Sequence, residues 1–137
     1  MESAKKLYNV TMDQAAKKMS VTRTEIDILL FLANNPQYDT AADIVKVRHL
    51  TKSHVSTSVD SLVRMGMLER IYKEGNSKTI HLNIMPSAQK IIDEGRSVQE
   101  EFIGVLLDGI DPKDIRLVSR VFEHMGENIA KAFDKEK

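Results

Sequence analysis

The stretch Leu50–Arg70, reading LTKSHVSTSVDSLVRMGMLER, decides the fold. Thr51 stands just ahead of Lys52 as a residue type that caps a helix start, and Gly66 supplies the left-handed position that ends one. Between them the spacing predicts a helix from about Lys52 to Met65 with Val55, Val59, Leu62 and Val63 as its apolar stripe. The opposite face then holds Lys52, Ser53, Ser56, Thr57 and part of His54. Five hydroxyl residues, Ser53, Ser56, Thr57, Ser58 and Ser61, sit in this one helix although Ser and Thr are mediocre helix formers. A solvated face would ordinarily use Glu and Lys. Short uncharged side chains suit a helix whose backbone approaches a major groove and whose hydroxyls bond base edges or phosphate oxygens. An ordinary surface helix is the other reading of the same residues, so the neighbours have to decide.

Toward the N-terminus, Thr40 can cap a short helix Ala41 to Val47, separated from the Thr51 helix by a turn near Arg48 to Leu50. These two helices form a candidate helix-turn-helix. Before them, Thr22 and Glu25 have capping-box spacing, and the apolar run Ile26 to Ala33 reads as a buried helix stopped by Asn34, Asn35 and Pro36. Ser3 to Met19 carries Leu7, Tyr8, Met12, Ala15, Ala16 and Met19 at spacings of three and four, an amphipathic helix that needs a partner surface.

Toward the C-terminus the period changes to two. Ile80, Leu82 and Ile84 alternate with Thr79, His81 and Asn83, as in a half-buried strand, and Leu68 to Tyr72 is its expected partner. Glu74, Gly75, Asn76 and Ser77 supply the turn of a two-stranded wing. Pro86 and Ser87 open another helical stretch to about Leu107. Asp111, Pro112 and Asp114 start a last helix, in which Ile115, Val118, Phe122, Met125, Ile129 and Phe133 follow one face.

The 137 residues carry 20 basic and 20 acidic side chains, so the net charge is zero and distribution has to be read instead. Thr40 to Met85 holds seven basic against four acidic residues, a net +3 that leaves the remainder at −3. Between Asp43 and Asp60 there is no acid, while Lys46, Arg48, Lys52, His49 and His54 fall in that gap. The middle of the chain is an electropositive island, the distribution that phosphate binding requires.

Other chemistries find little support. The sequence has no cysteine, which excludes disulfides, thiolate metal sites and a cysteine nucleophile. His49, His54, His81 and His124 lack metal-ligand spacing, and His81 reads as a solvent-facing strand residue. Asp93 with Glu94 and Glu100 with Glu101 are adjacent on a helix and point apart, which suits solvated charge rather than acid-base catalysis. Met12, Met19, Met65, Met67, Met85 and Met125 read chiefly as core filling. No catalytic site, metal or cofactor is expected, and the lack of a signal-peptide run or membrane-length apolar stretch suggests a cytoplasmic protein.

The run Leu50 to Met67, continued by Leu68, Glu69 and Arg70, resembles the recognition helix and first wing strand of the MarR (multiple antibiotic resistance regulator) family. The resemblance extends over nearly the whole chain, from the Thr22 to Pro36 helix to the Gly109 to Phe133 stretch, which is similar to the family's C-terminal dimerisation helix. It implies a winged-helix dimer on a palindromic operator, usually a repressor released by a small ligand held between the dimerising helices and the winged part. The wing departs from the pattern, since Asn76 and Lys78 stand where an Asp and a groove-entering Arg are common. Thr57 occupies a position that is often basic, and Met85 and Ala88 replace a Thr and a Gly.

The expected molecule is mainly α with a small β-hairpin (α+β), a single domain over residues 1–137. Residues 22–85 form the winged helix-turn-helix part; residues 1–19 and 87–137 form helical dimerisation parts. The expected DNA contacts are Thr51, Lys52, Ser53, His54, Ser56 and Thr57 on the helix and Lys73, Asn76, Ser77 and Lys78 on the wing. The expected partners are double-stranded DNA, a second copy of the chain and a small-molecule effector whose site the sequence leaves open, with no membrane. A rival reading is a winged-helix protein-interaction module that no longer binds DNA.

Overall fold

The computed structural model describes residues 1–135, and the helix starts expected at Thr22, Thr40 and Thr51 form with those side chains as caps. Helix α1 spans Glu2–Lys18, α2 Arg23–Asn34, α3 Ala41–Arg48 and α4 Lys52–Arg64. Strands β1 (Leu68–Ile71) and β2 (His81–Ile84) follow, then a 3₁₀ turn Pro86–Ala88, α5 (Gln89–Leu106) and α6 (Pro112–Lys135). The chain divides into two compact units, residues 1–102 and the stretch from Ile103 onward.

In the first unit, Thr22 accepts from the Glu25 amide while Glu25 accepts from the Thr22 amide, closing the capping box that starts α2. Thr40 and Asp43 make the same reciprocal pair at α3, and Thr51 accepts from the His54 amide at α4. The corner between α3 and α4 turns on His49, which adopts the left-handed conformation at φ 54°. At the other end of α4, the Met67 amide donates to Leu62 O and the Gly66 amide to Val63 O. That bond pair is a Schellman motif, and Gly66 at φ 74° supplies the residue that reverses the chain into β1 without a steric penalty.

The strands pair antiparallel with Leu68 opposite Ile84 and Ile71 opposite His81. They are shorter than expected: β1 ends before Tyr72, and Thr79 and Ile80 lie outside β2. The reason is local. Asn76 Oδ1 accepts from the Lys78 and Thr79 amides and so draws these residues into the turn. On its outer side β2 gains a bond that no hairpin pattern predicts, from the Leu82 amide to Asp39 O at 2.7 Å, which ties the wing to the loop between α2 and α3.

The core of this unit joins Met12 and Ala16 of α1, Ile26 and Leu29 of α2, Ile44 of α3, Val55 and Leu62 of α4, and Leu68, Leu82 and Ile92. Gly95 of α5 lies against Leu30 so closely that a Cβ would sit 2.7 Å from Leu30 Cδ1, so this position needs the absence of a side chain. Arg23 binds α1 to α2: its guanidinium donates to Asp27, Asp13 and Asn9 and lies over the Tyr8 ring. Burial works against its charge, but the bonds to Asp13 and Asp27 outweigh that and hold its pKa above the ordinary value.

The methionines divide between core and surface. Met12 is fully buried and Met19 and Met67 pack against the core, but Met65 and Met125 are exposed. The second unit holds the end of α5, a turn through Gly109, and α6, started by Asp111, which accepts from the Lys113 amide. None of α6 is buried; Phe122 and Phe133 are 66% and 64% exposed.

Candidate nucleic-acid interface

Helix α4 owes its outward face to the placement of its inward one. Val55, Val59 and Leu62 are buried, which turns Lys52, Ser53, His54, Ser56 and Thr57 to solvent together with the cap residue Thr51. The first turn of α4 contains no carboxylate, whereas α2, α3 and α6 carry Glu25, Asp43 and Asp114 there. The positive end of the α4 dipole is thus left without an internal anion, next to Lys52. Between α3, α4 and the hairpin lies a largely apolar groove of about 480 Å³, lined by Ala42, Val45, Val55 and Leu82 among others. Lys52 and Ser56 also line it, so the start of α4 is open toward the hairpin as well.

Three sequence readings need correction. Of the five hydroxyls in α4, Ser58 is only 6% exposed and Ser61 donates to Glu25 Oε2 at 2.7 Å, so these two serve the interior. The alcohol-rich surface is therefore made by Ser53, Ser56 and Thr57 with Thr51. His81 does not face solvent freely; its side chain is 13% exposed and its Nδ1 lies 2.8 Å from Asp39 Oδ1. Asp39 reaches both His81 and, at 4.0 Å, Lys73, because the loop before α3 runs alongside β2. The basic island is also less free than its count implies, since Arg70 pairs with Asp60 and Lys73 with Asp39.

On the wing, Lys73, Asn76, Ser77 and Lys78 are all exposed. Asn76 is occupied in shaping the turn, with Oδ1 accepting two amides and Nδ2 donating to Thr79 Oγ1. Among the described residues, Lys46, Arg48, Lys52, Arg64 and Lys78 are exposed and take part in no ion pair, which leaves them as available cations of the α3, α4 and wing surface. Thr24 was not singled out by the sequence, yet its Oγ1 lies 3.2 Å from His54 Nε2. Exposed Tyr72 at the base of the turn was likewise unmarked. Thr24 has no local sequence signal, because its place comes from a neighbour 30 positions away in the chain. Among the described residues no three His, Cys, Asp or Glu side chains gather into a group that could hold a metal. No helix is long and apolar enough to cross a membrane.

A short helix, a left-handed corner, a second helix with a polar outer face and a β-hairpin after it define a winged helix-turn-helix protein. The MarR family model matches residues 19–76, which run from the end of α1 into the wing turn. Solved structures share the fold across most of the chain. A Listeria monocytogenes protein complexed with 26mer DNA superposes with a TM-score of 0.75 at 18% identity, covering 93% of this chain and 84% of that one. The transcription regulator MarR from Oenococcus oeni PSU-1 gives 0.67 at 17% identity, with 91% and 93% covered. The S. aureus MepR-DNA complex gives 0.65 at 19%, with 86% and 85% covered. Residues 19–76 of this chain thus resemble the MarR family, and the chain has the winged-helix fold of these structures.

Proposed function

We propose that this protein is a sequence-specific DNA-binding transcription regulator that acts as a homodimer on a palindromic operator, as a repressor released by a small-molecule effector. The observation that carries the reading is the exposed, carboxylate-free start of α4, where Thr51, Lys52, Ser53, His54, Ser56 and Thr57 face solvent together. Lys52 positions the helix on phosphate, and the hydroxyls and His54 contribute the contacts to base edges. Exposed Lys78 and Lys73 extend the phosphate contacts onto the wing, with Ser77 and the turn shaped by Asn76 beside them. Lys73 leaves Asp39 for phosphate at little cost, because a pair at that distance and exposure is weak.

The dimer follows from the uncovered apolar stripe of α6, which a second copy would bury. Two α4 helices related by a two-fold axis would then enter successive major grooves about 34 Å apart. That two similar structures contain DNA supports the partner, and the family's usual behaviour supports the repressor role and the effector. Selecting bound fragments from the source genome, then titrating the selected and a random duplex at two salt concentrations, tests the reading. Binding that is tighter to the selected duplex and steeply salt-dependent is the expected result. Absence of binding to any duplex at low salt would overturn it in favour of a protein-interaction module.

A further inference from the structure

Glu25 is a carboxylate placed almost wholly inside the first unit, at 5% exposure, although it belongs to the first turn of α2. Its two oxygens have different employment. Oε1 accepts from the Thr22 amide at 2.8 Å and completes the capping box, a task any exposed capping Glu performs. Oε2 reaches across to α4 and accepts from Ser61 Oγ at 2.7 Å. The preceding residue, Thr24, meets His54 Nε2 of the same helix through its Oγ1 at 3.2 Å. Two consecutive residues of α2 therefore hold α4 at two points, one in its first turn and one in its last.

The apolar contacts of α4, through Val55, Val59 and Leu62, bury area but impose little direction, so a helix held by them alone can slide or rotate by a fraction of a turn. A hydrogen bond does not tolerate this. Moving Ser61 away would leave a buried carboxylate oxygen without its partner, and a buried unpaired acceptor is strongly disfavoured. From this geometry we infer that Glu25, acting through Ser61, is a positioning residue that fixes the rotation and depth of α4 and thereby its discrimination between DNA sequences. The inference rests on the DNA-binding reading above and adds to it a residue that touches no DNA. Base contacts are made or lost within a few tenths of an ångström, whereas phosphate attraction is forgiving. Loss of the pin therefore lowers specificity more than it lowers total affinity.

The experiment compares wild type, Ser61→Ala, Glu25→Gln and Thr22→Ala on the genome-selected duplex and on a random one, well below each variant's melting temperature. Ser61→Ala removes the pin and leaves the capping box. Thr22→Ala removes the hydroxyl that caps α2 but leaves the bond to Ser61, and so controls for general weakening of α2. Glu25→Gln keeps a carbonyl oxygen for the Thr22 amide and an amide group for Ser61 Oγ, and serves as the conservative rescue. The ratio of selected to random affinity should fall about fivefold or more in Ser61→Ala, the discrimination carried by one good base contact. It should stay at the wild-type value in Thr22→Ala and Glu25→Gln. A ratio unchanged in Ser61→Ala, or lowered as much in Thr22→Ala, overturns the inference and leaves DNA binding standing. Failure of the wild type to bind either duplex removes the DNA-binding reading, and the positioning role with it.

Discussion

Helices α4 and α6 are written in the same amphipathic code and meet different fates. In α4 the apolar stripe is closed by α2, α3 and β1 of its own unit, with Val55 and Leu62 fully buried. In α6 the stripe is longer and richer in aromatics, yet Phe122, Met125, Ile129 and Phe133 all stand more than half exposed. The difference teaches that periodicity announces a face to be covered but is silent on what covers it. Where the cover lies within the unit, the polar side is the one left to solvent, as in α4. Where it does not, the apolar side stays open, and it is the face proposed above for a second copy.

The comparison can be broken at either helix. The largest effect is expected from Phe122→Asp combined with Phe133→Asp. On the proposed dimer this removes interface burial worth about 3–6 kcal/mol from each chain, at about 1.5–3 kcal/mol per Phe, and sedimentation should show the mass of one chain. A double variant that still sediments as a dimer would move the interface elsewhere. Leu62→Ala on α4 should act in the opposite way, lowering unfolding free energy by about 2–5 kcal/mol in urea while leaving the sedimenting mass unchanged in dilute buffer. A loss under 1 kcal/mol would mean that the neighbours close around the cavity (~1 kcal/mol being below the usual range for such truncations).

Two smaller effects sharpen the contrast. Arg23→Lys keeps the charge but cannot reproduce the fork that bonds Asp27, Asp13 and Asn9 together, so the first unit should lose about 1 kcal/mol by the same denaturation assay. Equal stability would show that Asp27 is content with a point charge. Lys78→Ala should weaken binding alike on selected and random duplexes and lower the salt slope by about one unit, with no change in stability. An unchanged slope removes Lys78 from the proposed interface.

What could be read beforehand was whatever the chain encodes locally. Thr22, Thr40 and Thr51 cap their helices through amides three residues away, and Gly66 ends α4 through carbonyls only a few residues back, so both kinds of signal sit in nearby letters. The exposed set on α4 was legible for the same reason, since three buried residues on one side dictate the other. Contacts that close over long separations were not legible. Ser61 finds Glu25 across 36 positions and His81 finds Asp39 across 42, and in each case a residue that looked like surface polarity became a tie between elements. The shortened second strand has the same origin on a smaller scale, because one side chain, Asn76, claims the Thr79 amide that alternation had assigned to β2.

His49 holds the elbow of the motif in a backbone shape that residues with a branched Cβ adopt badly, at a cost of roughly 1–2 kcal/mol for a single left-handed residue. The corner between α3 and α4 therefore depends on this one joint as well as on the packing of α4 and its ties to Thr24 and Glu25. A Val or Ile at that joint would force a choice between carrying the strain and opening the elbow. An opened elbow would swing Lys52, Ser53 and His54 away from Lys73 and Lys78 of the wing, and with the proposed interface it would loosen the joint grip of helix and hairpin on one duplex.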